Sequence, residues 1–209
     1  MFTRGISKQT QSNLATLEKV NFVKKYYLAG GTALSLHLGH RFSDDLDFFS
    51  LTPEDPRTIR NQLINKGKLN IRQNEKGTFN GALNKVKLSF FIYPYPLVYP
   101  THDFNGIKVA DILDIACMKI DAISSRGKKR DFIDLFFVCR KIKSLEDLFT
   151  IFAEKYKKTK YNMFHIIKSL VYFQDAEQEN PPIMIEKIDW AEIKSFFEKE
   201  AVRLGKKYL

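Results

Sequence analysis

Two residue pairs, each next to a strand-like segment, constrain this chain most strongly. Gly30 and Gly31 follow one short apolar stretch, and Asp45 and Asp47 open the next one. Glycine permits the positive φ of a tight turn and lets a ligand approach the backbone, and a helix that starts there offers unpaired N–H groups to an anion. Held together, the pairs would combine a phosphate cradle with a carboxylate pair, the combination that phosphoryl and nucleotidyl transfer requires.

The aspartate pair has the spacing of a metal site. Side chains alternate along a strand, so Asp45 and Asp47 project together, whereas Asp44 falls on the opposite face and is expected to serve the turn. Two residues span about 6.6 Å, which one or two hard cations can bridge. The alternative is a strand entry with solvated acids, but Asp47 lies within an apolar run, where a carboxylate needs a partner. We therefore expect Asp45 and Asp47 to bind a divalent metal.

The pattern of apolar residues predicts an α+β fold in two parts. Strands are expected at 26–29, 43–49 and within 68–93, where 86–93 is the strongest. Three prolines between residues 94 and 100 then interrupt regular structure. We place a mixed sheet with flanking helices in residues 1–105 and an all-helical domain in 106–209. The expected helices are 7–25, 32–38, 55–66, 111–126, 129–141, 145–156, 162–173 and 190–204.

The amino-acid composition indicates which kind of partner and which cellular compartment to expect. Lys and Arg number 34 against 24 Asp and Glu, a net charge of +10 that favours a polyanion, with nucleic acid the first candidate. A basic surface that only maintains solubility is the alternative. Cys117 and Cys139 lie in apolar helical patterns and suit a reducing cytosol. With no apolar run of membrane-spanning length and no signal-peptide pattern, we expect a cytoplasmic protein without a membrane partner.

The helical half contains one basic and two acidic residues in unusual positions. Lys119 lies in the middle of an apolar stripe, so it either reaches solvent or meets an anion such as a triphosphate or a carboxylate. Asp131 and Asp134 share a face of the next helix. They could be plain complements of the helix dipole. Alternatively, one of them orients Lys119, Arg126 or Arg130, or acts as a base.

Two blocks of sequence together resemble a known family. The first comprises LAGGTAL at 28–34 and GHRFSDDLDFF at 39–49, and the second comprises KIDA at 119–122 and KRDFIDL at 129–135. This pattern is similar to that of the AbiEii-type nucleotidyltransferases, the toxins of type IV abortive-infection toxin–antitoxin systems. That family belongs to the DNA polymerase β-like nucleotidyltransferase superfamily. The resemblance implies a polymerase β-like core followed by a helical domain that contributes to the site and binds the acceptor.

The resemblance also implies a role for each matching residue. The triphosphate would be held near the first block and its phosphates contacted from the second, while the aspartate pair would bind Mg²⁺, with Mn²⁺ as a possible substitute. By residue, Gly30, Gly31, Thr32 and Arg41 would bind the nucleotide, Asp45 and Asp47 the metal, Lys119 the phosphates, and Asp131 would complete the catalytic set with the nucleotide-binding Asp134 close by.

The implied reaction moves a nucleoside monophosphate from an NTP to an acceptor. The basic helical half makes RNA the expected acceptor, with the 3′ end of tRNA first, and a separately encoded antitoxin would control the toxin. Two alternatives remain open. The acceptor could be a hydroxyl side chain of a protein, or the chain could be a non-catalytic nucleotide-binding module.

One position departs from the superfamily pattern. Polymerase β-like enzymes often carry a third carboxylate on a later core strand, and the best candidate strand here, 85–91, offers Ser89 and no acid. Serine is a poor metal ligand and a poor base. Either Asp131 takes that role, or catalysis is weakened, or the protein has kept nucleotide binding alone.

Overall fold

The structure, a computed structural model, describes residues 1–208 and divides into two compact units, Met1–Asp111 and a second that begins at Ile112. The expected boundary at 105/106 would separate two paired strands, because the hairpin at 102–109 belongs to the sheet of the first unit. The division therefore falls six residues later than the sequence suggested. The expected end of the helical domain, at residue 209, lies outside the described residues.

The first unit contains a mixed seven-stranded sheet with flanking helices. Its helices are α1 (Lys8–Glu18), a short 3-10 helix (Asn21–Lys25), α2 (Gly30–Leu38) and α3 (Pro56–Leu63). Its strands are β1 (Tyr27–Ala29), β2 (Leu46–Ser50), β3 (Leu69–Glu75), β4 (Thr78–Leu83), β5 (Val86–Ile92), β6 (His102–Phe104) and β7 (Ile107–Val109).

The strand order is β3-β4-β5-β2-β1-β7-β6. Strand β2 pairs antiparallel with β1 and parallel with β5, and β1 pairs parallel with β7. The remaining neighbours are antiparallel. The mixed sheet and the α+β class confirm the expected fold. The order places β2 at the centre, between β1, which ends just before Gly30, and β5, which carries Ser89.

One face of the sheet forms the core of the first unit. Phe90 is nearly completely buried, and its ring lies 5.0 to 5.8 Å from four other aromatic rings, those of Phe22, Tyr26, Phe48 and Phe79. On β2 the residues alternate between buried and half-buried positions. The opposite face of β2 therefore keeps contact with solvent, and Asp47 lies on that face.

Two expectations about the first unit were wrong in detail. The single helix expected at 7–25 is two helices, because Val20 adopts an extended conformation that ends the α-helical run. Strands β6 and β7 were not predicted, since each has only three residues. Their turn is Asn105-Gly106, both with positive φ, which is a strong hairpin signal that the sequence did contain.

The second unit is all-helical in the described residues, as expected. Its helices are α4 (Ile112–Arg126), α5 (Lys129–Lys141), α6 (Leu145–Lys155), α7 (Met163–Ser169), α8 (Gln174–Glu177) and α9 (Trp190–Tyr208). The helix expected at 162–173 is shorter than predicted, and α8 follows it. Phe132 packs against Phe173, Trp190 and Phe197 at centroid distances of 5.2 to 6.0 Å. Among the helices of residues 1–208, none is both long and apolar enough to cross a membrane.

A buried amide ties α1 to the turn between β4 and β5. Asn13 Nδ2 donates to the carbonyl oxygen of Leu83 at 2.8 Å, and Asn13 Oδ1 accepts from Asn84 Nδ2 at 2.9 Å. We expect Asn13→Ala to lower the free energy of unfolding by about 1–3 kcal/mol, because buried polar partners lose their hydrogen bonds. Urea denaturation would measure the loss. The matched control, Ser12→Ala on the exposed side of α1, should stay within about 0.5 kcal/mol, and an equal loss in both variants would contradict the assignment.

Candidate active site

The two aspartates face the same side of the sheet. Asp47 lies on β2 opposite Ala29 of β1, and Asp45 precedes β2. Lys87 Nζ lies 3.5 Å from Asp45 Oδ2 and 3.9 Å from Asp47 Oδ1, so one ammonium group reaches both carboxylates. The side chains of Asp45 and Asp47 are 39% and 23% exposed. This arrangement gives an accessible carboxylate pair, as the alternation along a strand predicts.

Lys87 is the site residue that sequence reasoning missed. It lies on β5, which pairs parallel with β2 in a register that sets Leu88 beside Leu46. The alternation of Lys87 and Ser89 with buried neighbours was visible in the sequence, but the pairing of β5 with β2 was not. Because its side chain is 50% exposed, the ion pairs of Lys87 contribute little to stability. Its charge lies within 4 Å of both carboxylates.

Gly30 brings the backbone to the edge of the carboxylate pair. Its φ is +71°, a left-handed value that favours glycine. A Cβ atom at Gly30 would lie 3.4 Å from Asp47 Oδ2. The start of α2 and the carboxylate are therefore direct neighbours.

The N-terminus of α2 is suited to an anion. No described side chain caps this terminus, and its first turn contains no acidic residue, so no acid of the helix itself offsets the positive end of its dipole. Arg41 is buried, and its guanidinium group packs so closely on Gly31 that a Cβ atom there would overlap it. Arg41 also donates from Nη1 to the carbonyl oxygen of Phe42 at 3.0 Å. Gly31 and Arg41 thus place a cation at the same helix terminus.

The hydroxyl group of Thr32 anchors the site. Thr32 is fully buried, and its Oγ1 donates to the carbonyl oxygen of Asp45 at 2.6 Å and lies 3.0 Å from Ser43 Oγ. This bond fixes the approach to β2 against the first turn of α2. The predicted contact between Thr32 and a phosphate would therefore have to come from its backbone N–H.

Asp44 has a different role from its neighbours. Its Oδ1 accepts hydrogen bonds from the backbone N–H of Ser7 at 2.8 Å and from Thr10 Oγ1 at 2.6 Å. Burial raises the pKa of the Asp44 carboxyl, but the hydrogen bonds from Thr10 and Ser7 lower the pKa by more than burial raises it. The pKa of Asp44 therefore lies below the ordinary value. Asp44 therefore holds the start of α1, whereas the sequence led us to expect a part in the turn before β2.

Ser89 occupies the position beside Asp47 on the neighbouring strand. The parallel register pairs Asp47 with Ser89, and the antiparallel register of β4 and β5 pairs Ser89 with Asn80. Ser89 is fully buried, and within residues 1–208 its Oγ has no hydrogen-bond partner. Over the same residues, no group of three or more His, Cys, Asp or Glu side chains has a metal-binding arrangement. Among the described residues of the first unit, Asp45 and Asp47 are the carboxylates that lie within 4 Å of Lys87 Nζ.

The second unit contains an ion cluster of Lys119, Arg126, Asp131 and Asp134, in which all members except the half-exposed Arg126 are buried. Lys119 Nζ lies 2.7 Å from Asp131 Oδ1 and 2.6 Å from Asp134 Oδ2, and Arg126 Nε lies 3.0 Å from Asp131 Oδ2. Both aspartates are fully buried. Burial raises the pKa of the Asp131 carboxyl, but attraction to Lys119 and Arg126 outweighs it, so the pKa lies below the ordinary value. The anion expected beside Lys119 is thus a pair of carboxylates from its own unit.

The predicted site residues fall into two sets, each within its own unit. The first unit brings together Gly30, Gly31, Thr32, Arg41, Asp45 and Asp47. The second brings together Lys119, Asp131 and Asp134.

The ion cluster should make stability depend on pH. A carboxyl whose pKa is lowered by folding stabilises the protein above its unfolded pKa of about 3.9, and that stabilisation is lost as pH falls through the folded value. We expect Asp131→Asn to cost about 3–5 kcal/mol at pH 7, since it leaves the buried ammonium group of Lys119 with one partner fewer. The difference from the wild-type protein should shrink below about pH 4. Denaturant unfolding across pH would measure this, with the exposed Glu154→Gln as the matched control. A difference that is independent of pH would contradict it.

The chain is similar to known proteins in both sequence and fold. Residues 14–203 match the family model described as nucleotidyl transferase AbiEii toxin, type IV TA system. An uncharacterized protein of Aquifex aeolicus, aq_aa25, is 38% identical over 94% of this chain and 96% of its own. Among solved structures, JHP933 from Helicobacter pylori aligns with a TM-score of 0.52 at 20% identity, covering 98% of this chain and 100% of that one.

A second solved structure extends the fold comparison. MenT4, a nucleotidyltransferase toxin of Mycobacterium tuberculosis H37Rv, aligns with a TM-score of 0.60 at 12% identity over 92% of this chain and 82% of its own. These likenesses show the polymerase β-like nucleotidyltransferase fold. The family match covers most of the chain and both blocks of site residues. The chain therefore belongs to the AbiEii nucleotidyltransferase toxin family of type IV toxin–antitoxin systems, and it is a transferase of the nucleotidyltransferase class.

Proposed function

We propose that this protein transfers a nucleoside monophosphate from an NTP to an RNA acceptor with the help of Mg²⁺ and releases pyrophosphate. The 3′ end of tRNA is the expected acceptor, and a separately encoded antitoxin is the expected partner. The observation that carries the proposal is the position of Gly30 directly beside Asp47. A phosphate that enters at the N-terminus of α2 would lie next to a carboxylate pair.

The first unit would bind the triphosphate. Gly30 and Gly31 leave the backbone open at the start of α2, where the helix dipole favours negative charge. Arg41 adds a guanidinium group that packs against Gly31, and guanidinium groups bind phosphate oxygens in a fork geometry. Lys87, which lies within 4 Å of both carboxylates, supplies a second cation. Together these groups would hold the β- and γ-phosphates and leave the α-phosphate near Asp47.

Asp45 and Asp47 would hold Mg²⁺, with Mn²⁺ as a possible substitute. The donor set fits, because Mg²⁺ is usually bound by one or two carboxylates together with substrate phosphates and water. The bound ion would neutralise charge on the α-phosphate and align the attacking hydroxyl group. The bond between Thr32 and the carbonyl oxygen of Asp45 would keep this carboxylate in place while the substrate binds.

The second unit would supply the further residues that the resemblance names. Lys119 would contact nucleotide phosphates, with Asp131 completing the catalytic set and Asp134 close by. Because Lys119 already lies between Asp131 and Asp134, those carboxylates would hold its ammonium group in one position. The basic residues of this unit, among them Lys157, would bind the acceptor, and the net charge of +10 over the whole chain favours a polyanion. This activity is expected in the cytoplasm.

A nucleotide-binding module without turnover is the second candidate function. It is favoured by Ser89, which stands in register beside Asp47 where superfamily members often have a carboxylate. Such a module would bind an NTP with Mg²⁺ and produce neither labelled product nor growth inhibition.

A labelling assay with a variant that lacks both carboxylates should distinguish between the two candidate functions. We expect purified protein with Mg²⁺, each α-³²P NTP in turn and total bacterial RNA to label tRNA-sized RNA. The double variant Asp45→Asn/Asp47→Asn should lose at least about 100-fold of the rate, because the metal ligands are gone. It should keep its fold, since both side chains are partly exposed.

The matched control for this experiment is Asp103→Asn, an exposed acid in the β6–β7 hairpin, which should keep full activity. Label on protein instead of RNA would favour a protein-hydroxyl acceptor. NTP binding without any label would favour the non-catalytic module. Full labelling by the double variant would exclude the proposed mechanism.

The role of Ser89 can be tested separately. Because its buried Oγ has no hydrogen-bond partner within residues 1–208, Ser89→Ala should leave the free energy of unfolding unchanged or raise it by up to about 1 kcal/mol. The rate of transfer should stay within about threefold of wild type, since no bond to this hydroxyl is removed. Thermal unfolding and the labelling assay would measure both. A tenfold loss of transfer with unchanged stability would show that the Ser89 hydroxyl takes part in the reaction.

A further inference from the structure

A set of aromatic rings adjoins the carboxylate pair on the same face of the sheet. The rings of Phe49 and Phe91 lie 5.7 Å apart, and Phe49 also contacts Tyr27 at 6.1 Å and Tyr93 at 5.7 Å. We call Phe49, Phe91, Tyr27 and Tyr93 the aromatic patch. Neither the proposed phosphate cradle nor the metal site uses these residues.

The register of the sheet places the patch beside the site. Phe49 lies two residues after Asp47 on β2, and Phe91 lies two residues after Ser89 on β5, so both rings project from the carboxylate face. The rise between Asp47 and Phe49 is about 6.6 Å. A group attached to a phosphate at Asp47 could therefore contact the rings on the same face of the sheet.

Although Tyr27 of the patch is buried, the rings of Phe49 and Phe91 differ in exposure from the aromatic core on the opposite face. Phe48 and Phe90 are 0% and 1% exposed, whereas Phe49 and Phe91 are only half-buried. Apolar rings that only fill a core would be expected on the buried face. Partly exposed rings next to a charged site are instead typical of surfaces on which nucleobases stack.

The geometry of in-line displacement indicates which of the two substrates would contact the aromatic patch. The attacking and leaving oxygens lie on opposite sides of the α-phosphate. Because β1 and β2 are antiparallel, Gly30 lies at one end of this segment and Tyr27, opposite Phe49, at the other, with Asp47 between them. If pyrophosphate leaves on the Gly30 side, the attacking hydroxyl group comes from the side of Phe49.

We propose that Phe49 and Phe91 form a stacking platform for the terminal nucleobase of the RNA acceptor. This inference rests on the proposed function, since it assumes an RNA acceptor and a triphosphate at α2. Stacking on an aromatic ring is tolerant of base identity, because every base has a π-face. The platform would hold the end of the strand with its terminal hydroxyl group directed toward Asp47.

The experiment uses a short RNA whose 3′-terminal base is 2-aminopurine, a fluorescent base that is quenched when it stacks. We expect wild-type protein to quench it on binding. Phe91→Leu, which keeps an apolar side chain but removes the ring, should weaken the Kd for this RNA at least about tenfold and abolish most of the quenching. Phe91→Tyr should restore both, since it keeps the ring.

The matched control is Phe196→Leu, which removes a half-buried ring from α9 of the second unit and should leave Kd and quenching unchanged. Thermal unfolding of each variant would show that Phe91→Leu is folded. Unchanged RNA binding and quenching in folded Phe91→Leu would overturn the proposal, as would wild-type protein that does not quench the terminal base.

Steady-state transfer kinetics distinguish this inference from the proposed function. Phe91→Leu should raise KM for RNA about tenfold or more and leave KM for the NTP unchanged. A rise in KM for the NTP alone would assign the rings to the nucleotide base and overturn the proposal. Wild-type protein that quenches the RNA but transfers nothing would contradict the proposed function and leave the platform standing.

Discussion

The antiparallel pairing of β1 with β2 is the constraint on which the rest of the site depends. It sets Ala29 opposite Asp47 and so brings the glycine turn to the carboxylate. A shift by one residue would turn Asp47 into the buried aromatic face, where an unpaired carboxylate is costly. The buried side chains of Leu46 and Phe48 on β2 therefore hold the polar side of the same strand in place.

The two units differ in how far their charged groups are buried. In the first unit the carboxylates remain partly exposed, and Lys87 approaches them from a neighbouring strand. Because these ion pairs are exposed, breaking them costs little free energy. In the second unit Lys119 lies between two fully buried acids, an arrangement in which the loss of one partner is expensive. The first arrangement suits groups that exchange ligands, and the second holds its charged groups in one position.

Much of the fold followed from the sequence, because its signals are local. The glycine turn, the alternation around Asp47 and the apolar periodicity of the second unit depend on residues within a few positions of one another. Sheet pairing is not local. The approach of Lys87 to Asp45 and the position of Ser89 beside Asp47 follow from the parallel register of β2 and β5, which the sequence did not specify. The β6–β7 hairpin carried its own signal at Asn105-Gly106, but its strands are short.

The position of Lys87 also bears on the order in which ligands can bind. An ammonium group within 4 Å of both carboxylates repels a second cation that enters the same space. A divalent ion alone would therefore bind weakly, whereas a triphosphate would bring the negative charge that offsets the lysine. Since such coupling is reciprocal, the nucleotide would in turn bind better with its ion. The first unit would thus select the ion and the nucleotide as one complex and stay inactive when either is scarce.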